Sequence, residues 1–231
     1  MRILIALALA APIGGSAAAQ ALPVRIAQLT TSRDSFAILA NGIPLGTLVT
    51  AVEATASGVR LRERSRIDGL VEQETTVDLD RHGTVVRVRQ AGTVQGEPTT
   101  IELDYHATGV KGRANTVGPN GPVSITIDTT LTDPVVDDNA IQGLIPALAW
   151  TASSRWTFRV FSGGQNEAAM RTLQVTGTEP VTLGSGRSVE AFRVDLAGGP
   201  QTANFWVSQQ APFRLLKIAI AGTPVEIVRV E

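Results

Sequence analysis

From Phe36 to Leu131, short runs of alternating or β-branched residues are punctuated by Gly, Asn and Asp, the pattern of strands joined by tight turns. The runs are Ser35–Ala40, Leu45–Thr55, Val59–Ile67, Val71–Leu79, Thr84–Gln90, Thr100–His106, Val110–Val117 and Val123–Leu131. Breaks such as Asn41-Gly42, Asp68-Gly69, His82-Gly83 and Thr108-Gly109 supply positive φ at little cost. The second half repeats the pattern over Arg155–Ser162, Met170–Thr178, Pro180–Leu183, Val189–Ala197, Thr202–Ser208, Phe213–Ala221 and Val225–Val230. With no linker long enough to mark a second domain, the pattern predicts a mostly β protein. Its expected architecture is an antiparallel meander forming an open or half-closed barrel over residues 20–231.

One helix is expected, Asp138 to Ala149, where Ile141, Leu144, Ile145 and Leu148 recur at helical spacing behind Asp137 or Asp138 as cap. Gly143 and Pro146 interrupt it, so the prediction is a short, kinked helix lying over apolar surface.

The polar positions assign the faces. Arg60, Arg62, Arg64 and Arg66 occupy every second residue of one run, and Glu72, Glu74 and Asp78 keep the same period in the next. Arg87 and Arg89, then Glu102 and Asp104, then Lys111 and Arg113 continue the alternation of sign. Neighbouring strands then attract across this face, which is expected to be solvated. If Arg66 faces Glu72 and Arg64 faces Glu74, the turn between them holds three residues, Asp68 to Leu70, although Asp-Gly alone favours two. The opposite face carries Val59, Leu61, Val71, Val77, Leu79, Val86, Val88, Ile101, Leu103 and Tyr105, interrupted by Glu63, Ser65, Gln73 and Thr75. Burying those polar groups without partners is costly, so they sit at a wet rim, the simpler reading, or line a cavity.

Composition changes the picture in three ways. Arg2, the apolar run Ile3 to Ala11 and the small residues before Gln20 describe a secretory leader, with cleavage expected between Ala19 and Gln20. The mature domain is therefore expected to be periplasmic or extracellular. No Cys is present, so burial rather than disulfides must hold the fold together. With 20 Lys and Arg against 21 Asp and Glu, the basic excess that nucleic-acid binding wants is missing. No integral membrane segment is expected in the mature chain, and a monomer is expected.

Gly177-Thr178-Glu179, the turn Gly184-Ser185-Gly186, Phe192-Arg193-Val194, Phe205-Trp206-Val207-Ser208, Pro212-Phe213 and the closing Ile220 to Ile227 follow one another in a distinctive order. In that order the chain resembles a bacterial envelope family known as domain of unknown function 3108, and Asn41-Gly42 with Leu45-Gly46 is similar to its first hairpin. The resemblance implies an exported antiparallel β-fold comparable in outline to the open-barrel lipoprotein carriers of the periplasm. It brings no active site.

Catalytic chemistry is sparse. Only His82 and His106 could serve a serine triad, and no G-x-S-x-G elbow occurs. Ile127-Asp128-Thr129-Thr130 lacks the glycine of an aspartic-protease motif. Asp133, Asp137, Asp138 and Asn139 suit calcium, or more simply helix capping. No catalytic, metal or cofactor assignment follows. Trp206 and Trp156, with Tyr105, Leu144 and Leu148, are the candidate lining of an apolar groove, plain core packing being the alternative. The leading expectation is a non-catalytic domain that binds a lipid-like ligand or an envelope protein on its concave face. A structural module working through its charged face or an edge strand is the alternative, and a hydrolase the third.

Overall fold

The computed structural model describes residues 20–118, 120–199 and 202–231, and the expected leader, residues 1–19, lies outside them. Fifteen strands are found among the described residues. The first eight are β1 (Ser32–Ala40), β2 (Ile43–Ala54), β3 (Gly58–Ile67), β4 (Val71–Asp80), β5 (Val85–Val94), β6 (Glu97–His106), β7 (Gly109–Gly118) and β8 (Gly121–Thr130). After β9 (Val135–Asp137) and a short helical stretch come β10 (Arg155–Ser162), β11 (Glu167–Thr182), β12 (Ser188–Ala197), β13 (Ala203–Ser208), β14 (Leu215–Ile220) and β15 (Val225–Arg229).

All fifteen belong to one sheet. From β8 back to β1 each strand pairs with its sequence neighbour, β1 then pairs with β15, and the order runs on down to β9. Every pairing is antiparallel except β9 with β10. The first and last strands therefore meet in the middle of the sheet, while β8 and β9, consecutive in sequence, are its two edges. The result is a barrel-like meander that its hydrogen bonds leave open, as the pattern predicts.

The charge stripe sets the register of β3 and β4. Arg66 pairs with Glu72, Arg64 with Glu74 and Ile67 with Val71, which leaves the three-residue turn Asp68 to Leu70. Gly69 takes φ +74° there, and the Leu70 amide donates to the Ile67 carbonyl at 2.9 Å. The ion pairs form on the outer face: Arg60 with Asp78 at 2.6 Å, Arg64 with Glu72 at 3.2 Å, Arg87 with Asp104 at 2.8 Å and Arg113 with Glu102 at 2.8 Å. Exposed pairs of this kind contribute only tenths of a kcal/mol each, so their main effect is to disfavour a slipped register.

Two expectations are corrected. Val86, assigned to the inner face, is 38% exposed, because the register shifts between Asp78 and Leu79, where Leu79 pairs with Val85 and Asp78 with Arg87. The bulge turns Val85 inward instead, where it is buried. The runs Met170–Thr178 and Pro180–Leu183 form one bent strand, β11, with its irregularity between Val175 and Gly177. Pairing of β11 with β10 ends at Gln174, so Pro180 sits where the strand has a neighbour on one side only, a place that tolerates a missing N–H.

The helical stretch is shorter than expected. A 3-10 turn (Asp138–Ala140), one turn of α-helix, α1 (Ile141–Leu144), and a second 3-10 turn (Ile145–Ala147) follow one another. Asp137 caps the stretch by accepting from the Asn139 amide at 2.9 Å, and Pro146 ends the α-helical pattern by withholding an N–H. The stretch lies over apolar surface, as expected, and is itself buried there. Ala140, Leu144, Ile145, Ala147 and Leu148 are all buried, and they join both halves of the sheet in one core. Trp150 Nε1 donates to the Ile145 carbonyl at 2.8 Å and fixes the exit of the stretch. The segment before β1 runs across this plug, with the Arg25 amide donating to the Ala147 carbonyl at 2.8 Å.

Across the interior the halves touch directly. Tyr105 meets Phe161 edge-on at 6.2 Å between ring centres. Gly163, in the turn after β10, lets that turn approach β6, since a Cβ there would lie 2.7 Å from Leu103 Cδ1. The described core is packed where the halves touch and opens beneath β1 to β4.

Candidate functional site

A cavity of about 390 Å³ lies between the inner face of β1 to β4 and the helical plug. That size falls at the lower end of small-molecule sites, about 300–1,000 Å³. The sheet contributes Phe36, Val52, Leu61 and Val77, and the loop ahead of β14 contributes Pro212, Phe213 and Leu215. Gln28 and Leu29 close it from the segment before β1, and Asn139, Gln142, Gly143 and Pro146 from the plug. Gly143 sets how closely the plug approaches: a Cβ there would stand 2.7 Å from Leu61 Cδ1. Arg33, Arg62 and Arg214 also line it. Arg62 is engaged with Glu53 at 3.1 Å, and Asp34 with Arg229.

Polar groups that the fold does not satisfy are part of this mixed lining. Glu63 and Thr75 face one another on β3 and β4, and both line the cavity. The wet-rim expectation fails for this pair, although Gln73 is accounted for by donating to Thr99 Oγ1 at 3.1 Å. Glu63 has no hydrogen bond or ion pair among the described residues, and loss of solvent alone pushes its carboxyl up to about 7. Gln28 and Gln142 belong to the lining as well, and Gln28 Oε1 and Gln142 Nε2 are closed off from solvent without a partner. Glu63, Gln28 and Gln142 thus all contribute to the lining of a single cavity.

A fully buried carboxyl lies elsewhere. Asp137 is fully buried and accepts from Tyr105 Oη at 2.5 Å and from Asn139 Nδ2 at 2.9 Å. Burial, then the charge of Asp138, raises its titration above the usual carboxylate range, and burial followed by Asp137 raises that of Tyr105. These groups satisfy one another, so the cluster ties β6 to β9. Asp133 pairs with Arg159 at 3.0 Å. Among the described residues no three His, Cys, Asp or Glu side chains gather as a metal-binding set. His82 and His106 are both exposed.

The native pKa of Glu63 lies above its ordinary value. Its protonated form is therefore favoured by folding, and the resulting stability is complete below about pH 4.5 and lost as pH rises through about 7. Asp137 acts in the same direction. Urea midpoints are expected to fall between about pH 5 and about pH 8, and Glu63→Gln is expected to flatten that fall. An unchanged slope in the variant would mean that Glu63 is ionised in the native protein.

None of the five candidate residues lines this cavity. Leu144 and Leu148 are plug residues of the main core, and Tyr105 bonds Asp137. Trp156 packs edge-on against Trp150 at 4.9 Å. Trp206 belongs to a smaller cluster with Val181, Leu183, Ala191 and Leu216, where its Nε1 donates to Glu179 Oε1 at 2.5 Å and Lys217 Nζ lies 4.8 Å from its ring centre. Its neighbour Phe205 points the other way, into the main core, as adjacent strand positions must. The signal that did mark the cavity was Glu63, a carboxylate at an inward position of an otherwise apolar face.

A family model described as a protein of unknown function (DUF3108) matches residues 35–227. No curated protein matches the chain. Among solved structures, the crystal structure of a β-barrel-like protein of domain of unknown function DUF1849 from Brucella abortus superposes with a TM-score of 0.50. It is 14% identical, and the alignment covers 90% of this chain and 96% of that one, a likeness of fold. Among the described residues no helix is long and apolar enough to cross a membrane.

Proposed function

The chain belongs to the DUF3108 family, proteins of unknown function, and from that premise, which supplies no activity, we propose that it is a non-catalytic, exported binding domain. Its ligand is a lipid-like molecule held in the cavity between β1 to β4 and the plug. The observation that carries this reading is the cavity itself: an aliphatic and aromatic patch of Phe36, Leu61, Val77 and Phe213 interleaved with polar and charged side chains such as Arg33, Glu63 and Arg214. A packed core would have closed around those groups or excluded them. Export rests on the order of Arg2, the apolar run and the small residues before Gln20. The domain acts as a monomer in this reading.

Native mass spectrometry of the protein purified without denaturant from its host tests the proposal. A copurifying apolar small molecule is expected, and Val52→Trp, which places an indole in the cavity, is expected to abolish it. If nothing copurifies and an environment-sensitive apolar dye binds the variant as well as the native protein, the binding reading fails.

A second reading, assembly through an edge strand, has one observation in its favour. Strand β8 pairs with β7 only, so ten residues offer one free side to an incoming strand. A copurifying protein released by substitutions in β8 would support it.

A further inference from the structure

We propose that one end of the barrel docks on an anionic phospholipid surface through a basic ring of Arg25, Arg33, Arg81, Arg155, Arg187 and Arg214. The docking goes beyond ligand binding, while the choice of a membrane as partner rests on reading the cavity as a lipid-like site.

Strand pairing sorts the turns into two ends. At one of them β1, β10, β12 and β14 begin and β4 finishes. Arg33 is the second residue of β1 and Arg155 the first of β10, Arg81 follows β4, and Arg187 and Arg214 precede β12 and β14. Arg25 belongs to the same end, because its neighbour Val24 packs on the turn between β4 and β5, where a Cβ on Gly83 would lie 3.0 Å from Val24 Cγ1. In sheet order the arginines are spread from β4 to β10, and Arg25 lies against the plug.

All six side chains are exposed, and their guanidinium groups have no hydrogen bond or ion pair among the described residues. The arginines of the charge stripe, by contrast, are cancelled by carboxylates on adjacent strands. Near the basic end Asp34, Glu53 and Asp78 hold Arg229, Arg62 and Arg60, and Asp80 accepts from the His82 and Thr84 amides. Glu190 and Glu231 stand without a cation there, fewer than the free arginines. The opposite end has no such excess. Its exposed turns at 41–45, 68–70, 95–96 and 221–224 carry a single charged residue, Asp68, which pairs with Arg66 at 2.9 Å.

The occupant follows from charge and from the cavity. A guanidinium binds phosphate oxygens in a two-pronged fashion, and a ring of them suits a plane of anionic headgroups. Thr30, Ser32, Arg33 and Arg214 line the cavity at this same end, so docking sets it against a bilayer, the source of a lipid-like molecule. An acidic protein would meet the charges but would leave that coincidence without a purpose.

Flotation of the protein purified from its host tests the proposal, using vesicles of phosphatidylcholine alone or mixed with phosphatidylglycerol. At about 0.05 M salt, binding to the mixed vesicles is expected to be about tenfold or more tighter, and to be lost at about 0.5 M. Combining Arg81→Gln, Arg155→Gln and Arg187→Gln, none of which lines the cavity, is expected to weaken it by about fivefold per residue. Apolar dye uptake and the urea midpoint are expected to stay unchanged in that variant. Combining Arg64→Gln, Arg66→Gln and Arg113→Gln removes the same charge from the outer face and is expected to change vesicle binding by less than about threefold. Equal loss in the two triple variants, equal binding to both vesicles, or tighter binding to polyglutamate than to the mixed vesicles overturns the proposal. Dye uptake without selective vesicle binding overturns the docking and leaves the cavity reading, and selective vesicle binding without dye uptake does the reverse.

Discussion

Leu144→Ala is expected to lower stability by about 3–4 kcal/mol, read as a drop in thermal midpoint on the order of 10 °C and a matching shift in urea midpoint. Leu144 is 1% exposed and sits in the plug, where its side chain joins both halves of the sheet. Truncation removes its apolar burial and leaves a hole, because the plug is held on one side by the Asp137 cap and on the other by the Trp150 bond to Ile145 and cannot collapse freely. Leu148, also fully buried, is expected to behave alike. Had these residues formed the groove instead, truncation would weaken ligand binding and leave the midpoint nearly unchanged. A loss below about 1 kcal/mol would show that the plug is not part of the packed core.

Gly112→Val is expected to cost about 3 kcal/mol or more, enough to reduce the yield of folded protein. Gly112 lies in β7 opposite Leu103, and a Cβ at this position would collide with the backbone carbonyl oxygen of Glu102 in β6. A flexible neighbouring side chain could move aside, but a backbone oxygen already in the ladder cannot do so without breaking pairing. Gly177→Ala supplies the control, since a Cβ there meets nothing within 4 Å, and its effect is expected to stay within about 0.5 kcal/mol. Urea titrations of the two variants, followed by far-ultraviolet circular dichroism, check both expectations. Equal stability of the two would mean that β6 and β7 separate at Gly112 at little cost.

Much of this fold was legible because its signals are local. Period-two charges fixed the register of β3 with β4, and the three-residue turn followed from Arg66 facing Glu72. The bulge at Leu79 was not legible, since Val85 and Val86 are equally apolar and only pairing with β4 decides which turns inward. The bend that carries β11 past Pro180 was hidden for a similar reason: where β10 stops pairing is a tertiary matter. The candidate site was read less well. Large aromatics such as Trp156 and Trp206 attract notice, yet they found partners in Trp150, Glu179 and Lys217. Glu63 was visible as an anomaly, whereas Gln28 and Gln142 lie 35 and 79 residues from it in sequence and gained meaning only when the plug and the leading segment met over β3.

The meeting of β1 and β15 governs how the protein can be made. Each hairpin of the first half can zip as soon as it is synthesised, but the Arg229 pair with Asp34, half-buried at the seam, joins residues 195 apart in sequence. Until the last five-residue strand arrives, β1 is a free edge beside an unfinished interior, the kind of template on which chains join one another. Loop closure over that length is slow relative to local pairing. The C-terminal strand is thus a latch, and loss of it would leave two half-sheets, each ready to stick to the wrong neighbour.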